Sequence, residues 1–333
     1  MIQRCALLGV VLVLAVVAAA CGRTSDRTLR GSLEALGTPT PAVATTKQPN
    51  WPCSAAHRAD PTASLRPLGP LPAPAQLPAG SYMSTIRHRG KLIAGVDQNT
   101  LLFSYLNPFT GRLQGFEIDL VHRLAQAILG DPNAVEFKAI TTGQRFSFVR
   151  QGRVDIVVDA ATILCDRWSA VSFSTVYYDA GQRLLVPKTS GVRSLRELAG
   201  KKVCVDAGGT AEAYLKNYAL KHPNHHPVPF PVSQRTDCLV ALQQGDVAAI
   251  ANDDAILLGF AAQDPYTKLV GPRFTDEPYG IAIAKSHPDF VRFVNAVLAQ
   301  MRADGTWKAD YRRWLGRIAP TPAPPAAHYL GSR

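Results

Sequence analysis

Short apolar strands alternate with helical patterns along most of this chain, and that alternation restricts the fold more than any single motif does. Residues 91–96 form a compact apolar run. Over 116–129, Ile118, Leu120, Val121, Leu124 and Ile128 recur at helical spacing, and the pattern stops before Gly130. Residues 135–140 read as strand, 146–151 as helix and 154–158 as a continuous apolar strand. The order then returns: strand 202–205, a Gly208-Gly209 turn, helices 210–221 and 237–244, and strands 248–250 and 281–284. Helices over 288–302 and 307–314 close the pattern. Unbroken apolar strands separated by helices belong to parallel sheets covered on both faces. The stretch spans about 240 residues, more than one modest core organises, so two sheets are expected.

The flanks have other chemistry. Arg4, an apolar run over 7–17 and Ala18-Ala19-Ala20 have the layout of an export signal, and Cys21-Gly22 follow at once. Small residues ending in Cys resemble the bacterial lipobox, in which that Cys carries lipid. The chain is thus expected to be exported and held at the cell membrane on its extracytoplasmic, periplasmic-type face through Cys21, without a spanning helix. Residues 21–82 are rich in Pro, Thr and Ala and read as an extended tether, and 317–333 as a similar Pro-rich tail.

The net charge of +11 favours an anionic surface or an acidic ligand. Lys and Arg are scattered, without a basic stripe interleaved with aromatics, so nucleic acid is not an expected partner. His222, His225 and His226 sit among prolines in a solvated loop. With no Cys-x-x-Cys or Cys-x-x-His pair, neither metal nor another cofactor is expected. Beyond Cys5 and Cys21, the cysteines are Cys53, Cys165, Cys204 and Cys238, which allow three pairings in an oxidising compartment.

Residues 152–186 carry the densest chemistry. A buried strand at 155–158 runs into the small-residue turn Ala160-Ala161-Thr162, and Arg167 opens a short helix five residues later. A hydroxyl, free N–H groups at a helix start and a guanidinium suit a small carboxylate. No nucleophile–base pair accompanies them, so the site is expected to hold a molecule without reacting with it.

The segments KLIAGVDQNTLLFSY, GFEIDLVHRLAQ, GRVDIVV and VSFSTVYYDAGQRLLV resemble the polar amino-acid family of bacterial substrate-binding proteins. So do SLRELAGKKVCVDAGGTAE, DDAILLG, EPYGIAIAK and MRADGTWKADYRRWLG, in the family's order, over about 84–316. The lipobox, tether and CDRW segment resemble more narrowly the actinobacterial, including mycobacterial, glutamine-binding-type lipoproteins. The resemblance implies two α/β lobes joined by two hinge strands with a ligand cleft between them. Lobe 1 would comprise 83–185 and 281–316, and lobe 2 would comprise 186–280, with crossings near 184–188 and 279–283. On that division Cys204 pairs with Cys238 inside lobe 2, leaving Cys53 for Cys165.

Carried onto this sequence, the resemblance makes Arg167 the grip on a ligand α-carboxylate, with Thr162 adding a hydroxyl and Ala160 a carbonyl for the ammonium. Asp253 would neutralise the ammonium from lobe 2, a role Asp254 could exchange with it. Arg145 and Thr142 align with the distal-carboxylate subsite of glutamate/aspartate binders, which points to aspartate or glutamate, with glutamine or asparagine as further candidates. Gly208 and Thr210 would offer N–H groups at a helix start, and Asp97 and Gln98 follow the first strand. There Asp97 opposes an anionic ligand or orients Arg145. The expected partners are a free amino acid and an ABC permease, or a multi-span membrane sensor that regulates a kinase, with the protein itself a monomer. Relatives on this fold include cyclohexadienyl and arogenate dehydratases. No Glu or His in these motifs has a general-acid task, so no enzyme is expected.

Overall fold

In a computed structural model of the chain, residues 54–331 are described; the signal, Cys21 and Cys53 lie outside them. Two five-stranded sheets dominate these residues. The first has the order β5-β1-β6-β15-β7, built from β1 (Leu92–Val96), β5 (Val135–Ala139), β6 (Ile156–Val157), β7 (Ser172–Phe173) and β15 (Ala282–Ile283). β1 runs parallel to both β5 and β6, while β15 is antiparallel to β6 and β7. The second has the order β11-β10-β12-β9-β13, from β9 (Gln182–Pro187), β10 (Lys202–Asp206), β11 (Val228–Val232), β12 (Ala249–Asp253) and β13 (Thr267–Val270). β10 is parallel to β11 and β12, and β9 returns antiparallel beside β12. A small sheet of β2 (Asn99–Thr100), β3 (Ser104–Asn107) and β4 (Arg112–Gln114) follows β1.

The helices cover these sheets. Before β1 come α1 (Ala55–Ala59) and α2 (Tyr82–Arg89). The first-lobe helix α3 (Phe116–Leu129) buries Phe116, Leu120, Val121, Leu124 and Ile128 and carries Glu117 and Asp119 in its first turn, where the helix dipole favours acids. Each such side chain contributes about 1.5–3 kcal/mol when withdrawn from water. Gly115 ahead of it has φ 137°, and a Cβ there would lie 2.1 Å from the Phe103 carbonyl oxygen, so the chain can pass only as glycine. α4 (Arg145–Arg150) links β5 to β6. In the second lobe, α5 (Thr210–Lys221) follows β10, α6 (Arg235–Gln244) follows β11 and α7 (Asp254–Gln263) follows β12. α8 (Pro288–Ala303) and α9 (Thr306–Leu315) return to the first lobe, where Phe290, Val294 and Trp307 join the core.

The lobes meet through a two-stranded antiparallel ribbon, β8 (Tyr178–Ala180) against β14 (Glu277–Tyr279). This moves the first crossing earlier than 184–188. Residues 184–187 lie in β9, which pairs with β12 on one side and β13 on the other within the second sheet, so lobe 2 begins near residue 181 rather than 186.

The Pro-rich flanks also depart from a free tether and tail. From residue 54 on, the N-terminal segment packs on lobe 1: His57 stacks on Trp168, the Trp168 indole donates to the Pro61 carbonyl, and Ser64 Oγ donates to the Phe173 carbonyl. The C-terminal segment returns beside it, with Tyr329 bridged in parallel to Ser64 and the Arg302 guanidinium donating to Pro325. Proline removes donors but leaves its carbonyl, and those of Pro61 and Pro325 accept two of these hydrogen bonds. Cys204 on β10 is disulfide-bonded to Cys238 on α6. Cys165 is also disulfide-linked, and the expected pairing with Cys53 lies outside the described residues.

Candidate ligand cleft

Four aspartates mark the carboxyl ends of parallel strands. Asp97 follows β1, Asp159 follows β6, Asp206 ends β10 and Asp253 ends β12, and all are buried. Opposite them, helices begin: Arg145 is the first residue of α4, Thr210 of α5 and Arg235 of α6. In open α/β sheets ligands sit in the crevice beyond the strand carboxyl ends, and two such ends face each other here. The cavity between these ends is small, about 10 Å³, and is lined by Thr142, Arg145, Ala160 and Thr162 from lobe 1. From lobe 2 come Asp206, Gly209, Thr210, Arg235, Asn252 and Asp253, among others. That is about the space one water needs, so an amino acid enters only if the lobes part or side chains move.

Arg145 is fixed by backbone. Its Nε donates to the Thr142 carbonyl, and its Nη1 donates to the carbonyls of Asp159 and Ala160, all at 2.9–3.0 Å. The Ala160 carbonyl expected for an ammonium therefore already accepts from a guanidinium. Ala160 itself has φ 43°, uncommon for a residue with a Cβ, and its N–H donates to Glu117 Oε1 at 2.7 Å. Glu117 is wholly buried; desolvation, with Asp159 close by, pushes its carboxyl up to about 7.

Arg167 is buried but is not among the cavity-lining residues; its Nη1 donates to the Thr162 carbonyl at 2.8 Å. Its guanidinium and that of Arg145 both lie against the Phe146 ring. Burial, with the Arg145 charge, lowers the Arg167 pKa to about 10, so it stays a cation at neutral pH. The Thr162 hydroxyl donates to Glu277 on β14 at 2.6 Å, so its proton is committed to the hinge strand rather than to the cavity.

From lobe 2, Asp253 accepts from the Tyr279 hydroxyl on Oδ2 at 2.6 Å, while its buried Oδ1 has no hydrogen-bond partner. Desolvation, then the neighbouring Glu277, raise its pKa well above the carboxylate range. Asp254 points elsewhere, pairing with Arg273 at 2.6 Å. Thr210 lines the cavity, and its hydroxyl accepts from Gln182 Nε2. Gly208 does not line it: its N–H is turned back to Glu212 Oε2 at 2.7 Å, because a φ of 76° aims it at the helix that follows. Gln98 is exposed and is not among the cavity-lining residues.

Sequence reasoning missed Arg235. Its Nη1 lies 2.8 Å from Asp159 and 3.3 Å from Asp97, and its Nε lies 2.9 Å from Asp206. It also donates to the hydroxyls of Thr100 and Thr142. Asp97 thus pairs with Arg235 across the cleft and does not orient Arg145. Burial works against the Arg235 charge, but Asp159, Asp97 and Asp206 outweigh it and raise its pKa. Asp159 remains pushed up to about 6, chiefly by desolvation. Among the described residues no group of His, Cys, Asp and Glu has a metal-holding arrangement.

Comparison with known proteins agrees with this architecture. The family described as bacterial extracellular solute-binding proteins, family 3, matches residues 92–317. The glutamine-binding protein of an ABC transporter in Bacillus subtilis is 36% identical over 234 residues, covering 70% of this chain and 84% of that protein. An L-glutamate/L-aspartate-binding protein of Pseudomonas aeruginosa is 28% identical, covering 72% of this chain and 81% of its own. Among solved structures, an ancestral arginine-binding protein bound to glutamine matches with a TM-score of 0.63 and 32% identity, over 68% of this chain and 99% of that one. No helix among the described residues is long and apolar enough to cross a membrane.

Proposed function

The chain belongs to the bacterial extracellular solute-binding proteins of family 3, and on that premise we propose that its cleft closes on a free amino acid whose side chain ends in a carboxylate or its amide. The observation that carries this reading is Asp253: a buried carboxylate whose Oδ1 has no partner, in a cavity that also presents the Arg145 guanidinium. A free amino acid supplies the missing ammonium, and its α-carboxylate takes the donors that Arg145 does not give to backbone, with Arg167 close behind. Aspartate and glutamate are placed first, because a second guanidinium, Arg235, lines the same cavity for a distal carboxylate. Glutamine or asparagine is the second reading. Asp97, Asp159 and Asp206 crowd Arg235, and an amide brings both a donor for them and an acceptor for it without added charge. The relatives described as glutamine-binding favour this second reading.

In the cell, the chain delivers its ligand to an ABC permease from the outer face of the membrane, anchored by lipid on Cys21; presentation to a multi-span sensor is the alternative output. Calorimetric titration of the purified protein with the standard amino acids decides the ligand. Saturable heat with aspartate, glutamate, asparagine or glutamine is expected, and silence with all of them overturns the reading.

A further inference from the structure

Three acidic side chains that could hold a cationic ligand are already filled from within the chain. Asp97 and Asp159 come from lobe 1, and Asp206 comes from lobe 2; each is buried, and each lies within ion-pair distance of the single guanidinium of Arg235. Two hydroxyls, Thr100 and Thr142, accept from the same group at 2.8 and 3.2 Å. Such an arrangement of carboxylates and hydroxyls around a planar fork is what a bound guanidinium requires. It is also rich in negative charge: Arg235 alone forms ion pairs with the three acids, and both carboxylate oxygens of Asp159 are buried without an aligned hydrogen bond, although one lies 2.8 Å from Arg235.

We propose that Arg235 occupies a guanidinium subsite at the far end of the ligand cleft and so excludes cationic amino acids from it. Resting on the reading of this cleft as an amino-acid site, the proposal assigns Arg235 as the residue that sets the charge of the accepted side chain. Two features locate it within reach of a ligand. Arg235, Asp206 and Thr142 line the same cavity as Asp253 and Arg145, so a ligand held by its α-groups there directs its side chain toward them. Arg235 also opens α6, whose Cys238 is bonded to Cys204 on β10, so the helix carrying it is tied to the strand that ends in Asp206. Removing the Arg235 side chain therefore vacates a shaped space rather than letting the helix fill it. The acids left behind are buried and lose their ion-pair partner, keeping only neutral donors such as Thr100 for Asp97 and Asn252 for Asp206, a state that an incoming cation relieves.

The test is calorimetry of parent, Arg235→Ala and Arg235→Gln with L-arginine, beside aspartate, glutamate, asparagine and glutamine. The parent is expected to bind L-arginine at least tenfold more weakly than either variant does. The gain should disappear when Asp97→Asn and Asp159→Asn are added to Arg235→Ala. Where Arg235→Ala does not fold, Arg235→Gln keeps the stem and drops the charge, and carries the same comparison. A parent that binds an acidic or amide amino acid, with folded variants silent to L-arginine, overturns this proposal alone; so does a parent that already binds L-arginine as well as they do. Silence of parent and variants with every amino acid overturns the reading of the cleft, and this proposal with it.

Discussion

Replacing Asp253 by Asn tests the charge logic of the cleft most directly. The side chain is buried, its Oδ2 is held by the Tyr279 hydroxyl at 2.6 Å, and its Oδ1 has no partner. Asparagine keeps the size and the tyrosine contact but cannot neutralise an ammonium. Leaving one member of a buried charge pair without its partner costs about 2–5 kcal/mol, which is about 30-fold to several thousandfold in Kd. A pH signature accompanies the loss. Burial and the nearby Glu277 raise the Asp253 pKa in the free protein, so near neutral pH the carboxyl must release its proton to meet an ammonium. Affinity should therefore rise with pH, by up to about tenfold per unit, and level off once the free carboxyl is ionised. Titrations of parent and Asp253→Asn with glutamate or glutamine between pH 6 and 8, in buffers of different ionisation enthalpy, read both effects. The parent should show a proton released on binding and the variant none. A variant within threefold of the parent, or a parent whose affinity ignores pH, would refute the reasoning.

Glu117 gives a stability counterpart. Its pKa is raised from 4.5 to about 7 by burial and by Asp159, so the native state favours the neutral form. Stability is then lost as pH climbs through that interval, by up to about 3 kcal/mol, and is constant above it. Glu117→Gln keeps an acceptor for Ala160 and should flatten this part of the melting-temperature profile; a profile parallel to the parent's would count against it. Replacing Cys204 and Cys238 by Ser opens a link across 34 positions and should cost about 3–4 kcal/mol, read as a lower denaturant midpoint at similar slope. An unchanged midpoint would show that packing alone holds α6 to β10.

Much of the fold was legible because burial writes itself into periodicity. The strand at 154–158 and the helix over 116–129 carry continuous or 3.6-spaced apolar residues, and both appear where expected, β6 covering only the middle of its run. The lobe boundary was harder, because 178–187 runs through β8 and β9 with only Gly181 between them, and nothing in the pattern says where the ribbon ends and the second sheet begins. Proline content misled at the flanks, since it reports missing donors and says nothing of which carbonyls will accept hydrogen bonds or where the neighbouring His57, Ser64 and Tyr329 will dock. At the site, Arg145 was visible as a helix-start arginine, whereas Arg235 was not, because the helix was expected to begin at residue 237. Yet Gln144-Arg145 follows β5 and opens α4 just as Gln234-Arg235 follows β11 and opens α6. That repeated pair was the available signal. What no one-dimensional pattern shows is that Arg235, from lobe 2, meets Asp97 and Asp159, which follow adjacent strands of lobe 1 and are remote from it in sequence.

The β8–β14 ribbon has a mechanical consequence. Both strands that pass between the lobes are hydrogen-bonded to each other, so they form one pivot rather than two independent tethers. The same strands carry Tyr279, which holds Asp253, and Glu277, which holds Thr162. Force from a captured ligand is thus applied almost at the fulcrum. A lever driven close to its fulcrum gives a small stroke at the load and a large sweep at the far ends, so on the proposed reading a shift of one hydrogen bond in the cleft would be magnified at the outer rims of the lobes.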